Sequence, residues 1–472
     1  MIQRNLSLLI PVENQVRELD PKLLLACVAA AKGFPSVIGP RREVHFRIPS
    51  FPRSVYLSKS VTAASELVFR ILRKLGHEVV AWDEEALVHL PDETYYSRRL
   101  SQTALRSVSA LFAWGEDNAE MWRRYPDFPR KLPIHVTGNP RVDLLRPEMH
   151  GFYEREVARI REQHGDFILV NTNFNHVNAF SPVQNLFQPP RRQGEPPPFG
   201  RAAQGMTRAY AEGLRDHKQA VLEGFKAMIP ALERSFPDHV IVVRPHPTEN
   251  PAVYREMASR CERVRVTNEG NVVPWLLATK ALVHNGCTTG VEAYVMGVPA
   301  VSYRATVDER YDDGFYRLPN TLSHPCFDFE SLRETLKRVF REELGVAGGE
   351  ARKAVIDRYL AGREGPLACE RIVAVLEQMV DGRSGKGIGF TDRIHGWSLC
   401  TGRTLVKRFK AYLPGSHNRP AFQRHRYPGV SPEDIRDRIA RFQKILKSGA
   451  RIEVEAMGGQ FFRIRAATYD KV

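Results

Sequence analysis

Two apolar runs that stop abruptly constrain this chain more than any other feature. The first is VIVVRPHPTEN (Val240–Asn250) and the second is ALVHNGCTTGVEAYVMGVPAVSY (Ala281–Tyr303). Four consecutive β-branched residues, Val240–Val243, predict a buried strand, and Pro245 and Pro247 forbid its continuation because neither can donate to a ladder. His246 is thereby placed in a stiff loop at the carboxyl end of a strand, beside Arg244. In the second run Ala281–Val283 predicts another strand. The turn Asn285-Gly286-Cys287-Thr288-Thr289-Gly290 follows, then a short helix Val291–Met296 closed by Gly297 and Pro299. Open α/β sheets bind ligands outside the carboxyl ends of their strands. A strand–turn–helix junction also offers free N–H groups and a helix dipole to an anion. The two loops therefore predict one pocket for a phosphorylated ligand, a nucleotide by preference.

The same alternation of strand and helix signals runs through the rest of the chain and implies mostly parallel sheets. Strands are predicted at Leu8–Val12, Val37–Ile38, Val55–Leu57, Glu78–Trp82, Ala110–Trp114 and Ile134–Thr137. Between them lie helical patterns at Pro21–Lys32, with Pro21 in a first turn, and at Thr62–Leu75. Phe167–Val170 opens a second set that includes a helix Gln219–Phe236, a strand Val264–Thr267 and a helix Pro274–Thr279. Leu332–Phe340 and Ala351–Met379 are helical in pattern. Asn171–Gln204, with six prolines, is too irregular for an element. It reads equally as an active-site loop or as a disordered insertion.

A family resemblance attaches to these motifs. RPHP followed about forty residues later by G-x-T-T-G-x-E-A-x-x-x-G-x-P is similar to the donor half of GT-B glycosyltransferases, above all bacterial proteins of capsule and O-antigen biosynthesis. His246-Pro247 resembles the HP motif of transferases that use CMP-activated acidic sugars, and Thr288-Thr289 stands where those enzymes carry a Ser/Thr phosphate motif. VTGNPRVDLL (Val136–Leu145) resembles the segment closing the N-terminal domain of GT-B proteins and nucleotide-sugar 2-epimerases. The resemblance implies two Rossmann-like domains facing a cleft. Residues 1–150 would form the acceptor domain, 151–380 the nucleotide-sugar donor domain, and 381–472 a basic α+β appendage. It also implies that Arg244, His246, Pro247, Asn285, Gly286, Thr288, Thr289 and Gly290 hold the phosphate and Glu292 the ribose, with no bound metal or other cofactor. The simpler reading of the threonine segment is a plain strand-to-helix turn.

A sugar transfer that inverts configuration needs a base for the acceptor hydroxyl. Carboxylates at predicted strand ends of the first domain are the candidates: Glu13, and the cluster Asp83-Glu84-Glu85. Crowded carboxylates raise one another's pKa, which suits a base. Acidic residues that open a helix are also common on structural grounds alone.

The charge balance is +15, with 69 Lys+Arg against 54 Asp+Glu. Residues 381–472 hold 19 Lys+Arg and 8 Asp+Glu, +11 of that total. Such a tail attracts polyanions, and with no nucleic-acid-binding motif an anionic membrane or an acidic glycan is the better partner. Gly385–Gly389 reads as flexible. Leu405, Val406, Phe409, Tyr412 and Leu413 then line one face of a helix with Arg403, Lys407 and Lys410 elsewhere. That pattern fits a helix lying on a membrane or one docked on the protein itself. Ser431-Pro432-Glu433-Asp434 starts a capped helix, and Ile452–Val454 with Phe461–Ile464 predicts a hairpin.

No apolar run reaches the ~18 residues of a membrane span, and the six scattered cysteines lack metal or disulfide spacing. The expectation is a cytoplasmic enzyme, peripheral on the inner face of the plasma membrane. It would transfer a sugar, preferably a CMP-linked ulosonic acid of Kdo-like or sialic type, to a surface polysaccharide or lipid-linked glycan. The alternatives are a UDP-sugar transferase, a nucleotide-sugar 2-epimerase, a CDP-glycerol-type polyol-phosphate transferase, and a non-catalytic binding scaffold.

Overall fold

The computed structural model describes residues 6–88, 91–190, 192–312, 316–381, 388–413 and 416–467. The chain forms two compact units: Met1–Phe152 with Ala354–Val472, and Tyr153–Lys353.

The first unit is built on an eight-stranded sheet. Its parallel part comprises β1 (Ser7–Val12), β2 (Ser36–Pro40), β3 (Ser54–Ser58), β4 (Glu78–Ala81), β5 (Ala110–Ala113) and β6 (Ile134–Val136), in the order β2-β1-β3-β4-β5-β6. β1 is flanked by β2 on one side and β3 on the other, so the strand order reverses there. Leu8, Leu9, Ile10 and Val12 are all buried, as expected of a strand covered on both faces.

The second unit carries six parallel strands: β7 (Phe167–Asn171), β8 (Val240–Arg244), β9 (Val264–Val266), β10 (Ala281–His284), β11 (Ala300–Tyr303) and β12 (His324–Cys326), in the order β12-β11-β10-β7-β8-β9. Here β7 is the strand at which the order reverses, with β8 and β10 as its neighbours. Ile168, Val170, Phe225, Ile229, Val243 and Val283 form part of its core.

The C-terminal region departs from the expected appendage. Residues 354–472 belong to the first unit, and they complete it. The hairpin β13 (Ile452–Ala456) and β14 (Phe462–Ala466) pairs antiparallel with β2. The helices Ala368–Asp381 and Pro432–Leu446 pack on the helix Gln15–Ala31, whose LLLACVAAA segment (Leu23–Ala31) is almost wholly apolar and buried. A helix that is apolar all round must be covered on more than one side, and the C-terminal helices do the covering. Phe152 and Phe442 stack at 4.0 Å with parallel rings, and the Asp143 carboxylate accepts the N–H groups of Ala368 (2.7 Å) and Cys369 (2.9 Å). The segment Val136–Leu145 thus has a structural role: Asn139 caps its own short helix, and Asp143 caps a distant one.

Helix starts also differ. The first helix begins at Gln15, so Pro21 lies inside it rather than in its first turn. The helix expected from Gln219 begins at Arg208 and runs 28 residues to Ser235. Ala351–Met379 divides into Glu350–Tyr359 and Ala368–Asp381, interrupted where Gly362 and Gly365 take positive φ. The flexible stretch expected at Gly385–Gly389 falls, for 385–387, outside the described residues.

Candidate functional site

In the second unit three loops leave adjacent strands at one edge. β8 and β10 lie either side of β7, so their loop origins are about 10 Å apart, two strand spacings. Side-chain bonds stitch them together. Thr172, after β7, donates its N–H to Arg244 O (3.3 Å) and its hydroxyl to Glu249 (3.0 Å). Asn285, after β10, donates to Asn173 O at 3.3 Å. The amide oxygens of Asn171, Asn173 and Asn285 are buried and accept no hydrogen bond from the described residues.

The His246 loop is organised by a residue that the sequence reading missed. Glu249 is 1% exposed. Its carboxylate accepts the backbone N–H of His246 (3.0 Å), the Thr172 hydroxyl and the Tyr254 hydroxyl (2.7 Å). Burial pushes this carboxyl above its usual range, with hydrogen bonds from Tyr254, Thr172 and the backbone of His246 and Phe174 pulling the other way. Thr248 N–H points at His246 Nδ1 (3.3 Å), and the Thr248 hydroxyl lies 2.7 Å from the same atom. A ring nitrogen that accepts leaves the proton on Nε2, making that atom the donor. The signal was present in the sequence as His-x-x-Glu, three residues apart in a tight turn.

Arg244 does not serve the loop as expected. Its guanidinium donates to the carbonyls of Glu269 (2.8 Å) and Gly270 (3.1 Å) and lies 4.7 Å from the Trp275 ring centroid. Burial pulls it down to about 9, with Glu269 partly offsetting this. As the last residue of β8 it turns into the sheet's flank, so it ties a neighbouring loop rather than facing a ligand.

On the other side of β7, the helix begins earlier than expected, at Thr288, so Thr288, Thr289 and Gly290 form its first turn. Gly286 has φ +87°, and a Cβ there would lie 2.5 Å from the Tyr316 ring. At Gly290 a Cβ would lie 2.5 Å from His284 Nε2. Both glycines are thus required by packing within the protein. His284 accepts the Gly286 N–H at Nδ1 (2.9 Å) and pairs through Nε2 with Ser323 (2.8 Å). Burial pulls it down to about 3, and Arg304 adds to the effect, so it is neutral. Cys287 packs against Thr289 (2.5 Å), and burial pushes its thiol up to about 11, which rules it out as a thiolate at neutral pH. Glu292 is buried in the same helix. Pro247 is half-buried in the loop after His246.

A second missed residue is Lys218. In the helix Arg208–Ser235, Leu222, Phe225, Met228 and Leu232 pack on the sheet, whereas Ala211 and Leu214 pack with Leu186 and Phe187 of the proline-rich loop. Lys218 lies between these sets, where the helix passes the strand ends. It is 3% exposed, and its ammonium sits 3.5 Å over the Tyr316 ring, the ring that covers Gly286. Burial pulls it down to about 7, opposed by Asp312. A helical pattern broken by prolines upstream hid it.

The carboxylates proposed as bases lie in the first unit. Glu13, directly after β1, pairs with Arg41 (2.9 Å), Lys59 (3.0 Å) and Arg426. Burial works to raise its pKa, but Lys59, Arg41 and Arg426 outweigh that and hold it far below the usual range. Asp83 is fully buried, bound by Arg99 and by the Tyr95 hydroxyl (2.6 Å). Glu84 accepts from Trp82 Nε1 (3.0 Å) and lies 3.8 Å from Lys22. Glu85 pairs with Arg17 at 3.0 Å, and Arg17, Arg99 and Lys59 overcome its desolvation to lower it. The expectation of mutually raised carboxylates is therefore corrected for Glu13 and Glu85. The crowding is real, but cations are interleaved with the acids and decide the sign. Among the described residues no group of His, Cys, Asp and Glu side chains is arranged to hold a metal ion.

No protein-family model matches this chain, and no curated protein matches it either. Solved structures do. The wall teichoic acid polymerase TagF, in a crystal soaked with CDPG, superposes with a TM-score of 0.48 at 11% identity, over 79% of this chain and 88% of that one. UDP-GlcNAc 2-epimerase from Methanocaldococcus jannaschii, in complex with UDP-GlcNAc and UDP, gives 0.46 at 14% identity, over 79% and 100%. The Neisseria meningitidis UDP-GlcNAc 2-epimerase gives 0.44 at 13%, over 80% and 100%. With superpositions at this level, the fold stands on the strand order and register described above.

Proposed function

We propose that this chain is a GT-B glycosyltransferase, cytoplasmic, that moves a sugar from a nucleotide-activated donor to a surface polysaccharide or lipid-linked glycan. The observation that carries the reading is the placement of the His246 loop and the Asn285–Gly290 turn on either side of β7, where the strand order reverses. That is where open α/β sheets take ligands. The preferred donor is a CMP-linked ulosonic acid, supported by the likeness of His246-Pro247 to the HP motif.

In this reading His246 donates from Nε2 to a phosphate oxygen of the leaving nucleotide as the glycosidic C–O bond breaks. Thr288, Thr289 and the first turn of their helix hold the same phosphate, and Glu292 accepts the ribose hydroxyls. The acceptor oxygen forms the new bond to the anomeric carbon and loses its proton to a carboxylate. The sequence candidates for that carboxylate are Glu13, Asp83, Glu84 and Glu85, of which Glu13 is paired with Arg41, Lys59 and Arg426.

Turnover assays separate this reading from its rivals. A CMP-activated acidic sugar consumed only when a glycan acceptor is present supports it. Donor converted without any acceptor indicates a nucleotide-sugar 2-epimerase. Phosphorus retained in the product indicates a polyol-phosphate transferase that uses CDP-glycerol, and acceptor-dependent use of a UDP-sugar replaces the CMP donor.

A further inference from the structure

The helix Phe390–Lys410 has one side covered by the protein and an apolar side that is not. At 3.6 residues per turn, Gly396, Cys400, Arg403 and Lys407 share one side. That side docks on the first unit: a Cβ at Gly396 would lie 2.9 Å from Leu75, and Cys400 is buried near His45 O (3.5 Å). The opposite side carries Phe390, Ile394, Trp397, Leu405, Phe409 and, just past the helix end, Tyr412. These are 78, 51, 57, 61, 69 and 86% exposed. An exposed aromatic and aliphatic stripe of this length marks an interaction surface.

The charge around the stripe says what it meets. Arg393, Arg408 and Lys410 are the helix's exposed cations, Arg403 and Lys407 lie on the docked side, and its one acid, Asp392, is paired with Lys74 at 2.6 Å. An open groove beside the stripe is lined by Phe46, Pro49, Trp397 and Leu405, with Arg47 and Arg408 contributing guanidinium groups. A second copy of this chain would set like charges against each other. A nucleic acid would leave the aliphatic side chains without a partner. An anionic bilayer satisfies both parts at once, with apolar side chains in the interfacial layer and cations on headgroup phosphates. Among the described residues no helix is long and apolar enough to cross a membrane, so the attachment is interfacial.

We propose that the outward face of Phe390–Lys410 docks this protein on the surface of an anionic lipid membrane. The inference is independent of the sugar-transfer reading and stands or falls without it.

Trp397 supplies the readout, because Trp82, Trp114, Trp122 and Trp275 are each at most 4% exposed. The full chain is mixed with vesicles of phosphatidylcholine alone and with vesicles containing phosphatidylglycerol. Flotation and a blue shift of tryptophan emission are expected only with the anionic vesicles. The triple variant Trp397→Ser, Leu405→Ser, Phe409→Ser, followed by flotation, should lose at least tenfold in binding. So should Arg393→Glu, Arg408→Glu, Lys410→Glu. Circular dichroism and unfolding temperature establish that both variants fold. Absence of vesicle binding by the wild type, or binding unchanged in both variants, overturns the proposal. So does wild-type self-association that the serine variant abolishes, which would give the face to a second copy.

Discussion

His246 and Glu249 divide the work of one loop, and substitution can separate them. The Glu249 carboxylate accepts three hydrogen bonds that fix the loop, whereas His246 is the residue proposed to meet the phosphate. His246→Ala is expected to weaken nucleotide binding tenfold or more with an unchanged unfolding temperature. Glu249→Gln sets an amide N–H against buried donors and should cost about 1–3 kcal/mol of stability, read as a lower denaturation midpoint, and should weaken binding as a consequence. Lys218 gives a pH signature. Burial pulls its folded pKa down to about 7 from the ordinary lysine value of 10.5, so between those values the unfolded chain holds a proton that the folded one does not. Stability contributed through this group therefore rises with pH across that window and is lowest below about 7. Lys218→Met should flatten that slope and stabilise the protein at pH 6 by roughly 2 kcal/mol. Unfolding curves of both proteins at pH 6 and 9 test it, and identical slopes would contradict the burial.

At the scale of elements, legibility follows from how local the cause is. β1, β7, β8 and β10 could be read because each is a short run of apolar residues bounded by turn formers. β11 (AVSY) and β12 (HPC) carry too little pattern, and only pairing with β10 makes them strands. The earlier helix starts at Gln15 and Arg208 were hidden for a similar reason, since the apolar stripe begins only where the helix meets its sheet. The placement of the C-terminal hairpin was not readable at all, because β14 pairs with β2 more than 400 residues away in sequence. This yields a further prediction. A chain ending at Ser448 loses the strand that covers the β2 edge, exposing unpaired backbone of the kind that templates aggregation. Such a chain should be recovered as soluble aggregate by size-exclusion chromatography, whereas a separable appendage would leave a monodisperse remainder. In the same way Gly286→Ala should destabilise by about 1–3 kcal/mol, because the residue has positive φ and no room beside Tyr316.

Over the whole molecule, one unit is interrupted by the other: Met1–Phe152 resumes at Ala354 after the Tyr153–Lys353 insertion. The two units carry different chemistry. The carboxyl edge of the second carries His246, the Thr288 and Thr289 hydroxyls and the buried amides of Asn171, Asn173 and Asn285, the set proposed above to hold a nucleotide. The corresponding edge of the first holds the cation–carboxylate cluster around Glu13. The sequence motifs placed the loops of the second unit at strand ends, because proline and glycine mark strand ends locally. They misjudged the carboxylate cluster of the first unit, because the cations that reverse the acids' pKa come from Arg41, Lys59 and Arg426, scattered along the chain. The central claim is the nucleotide site, and calorimetric titration of CMP, CDP, UDP and GDP into the wild type and His246→Ala tests it most directly. The account predicts selective CMP binding by the wild type, weakened at least tenfold in the variant. Failure of all four nucleotides to bind, or equal binding by both proteins, would contradict it.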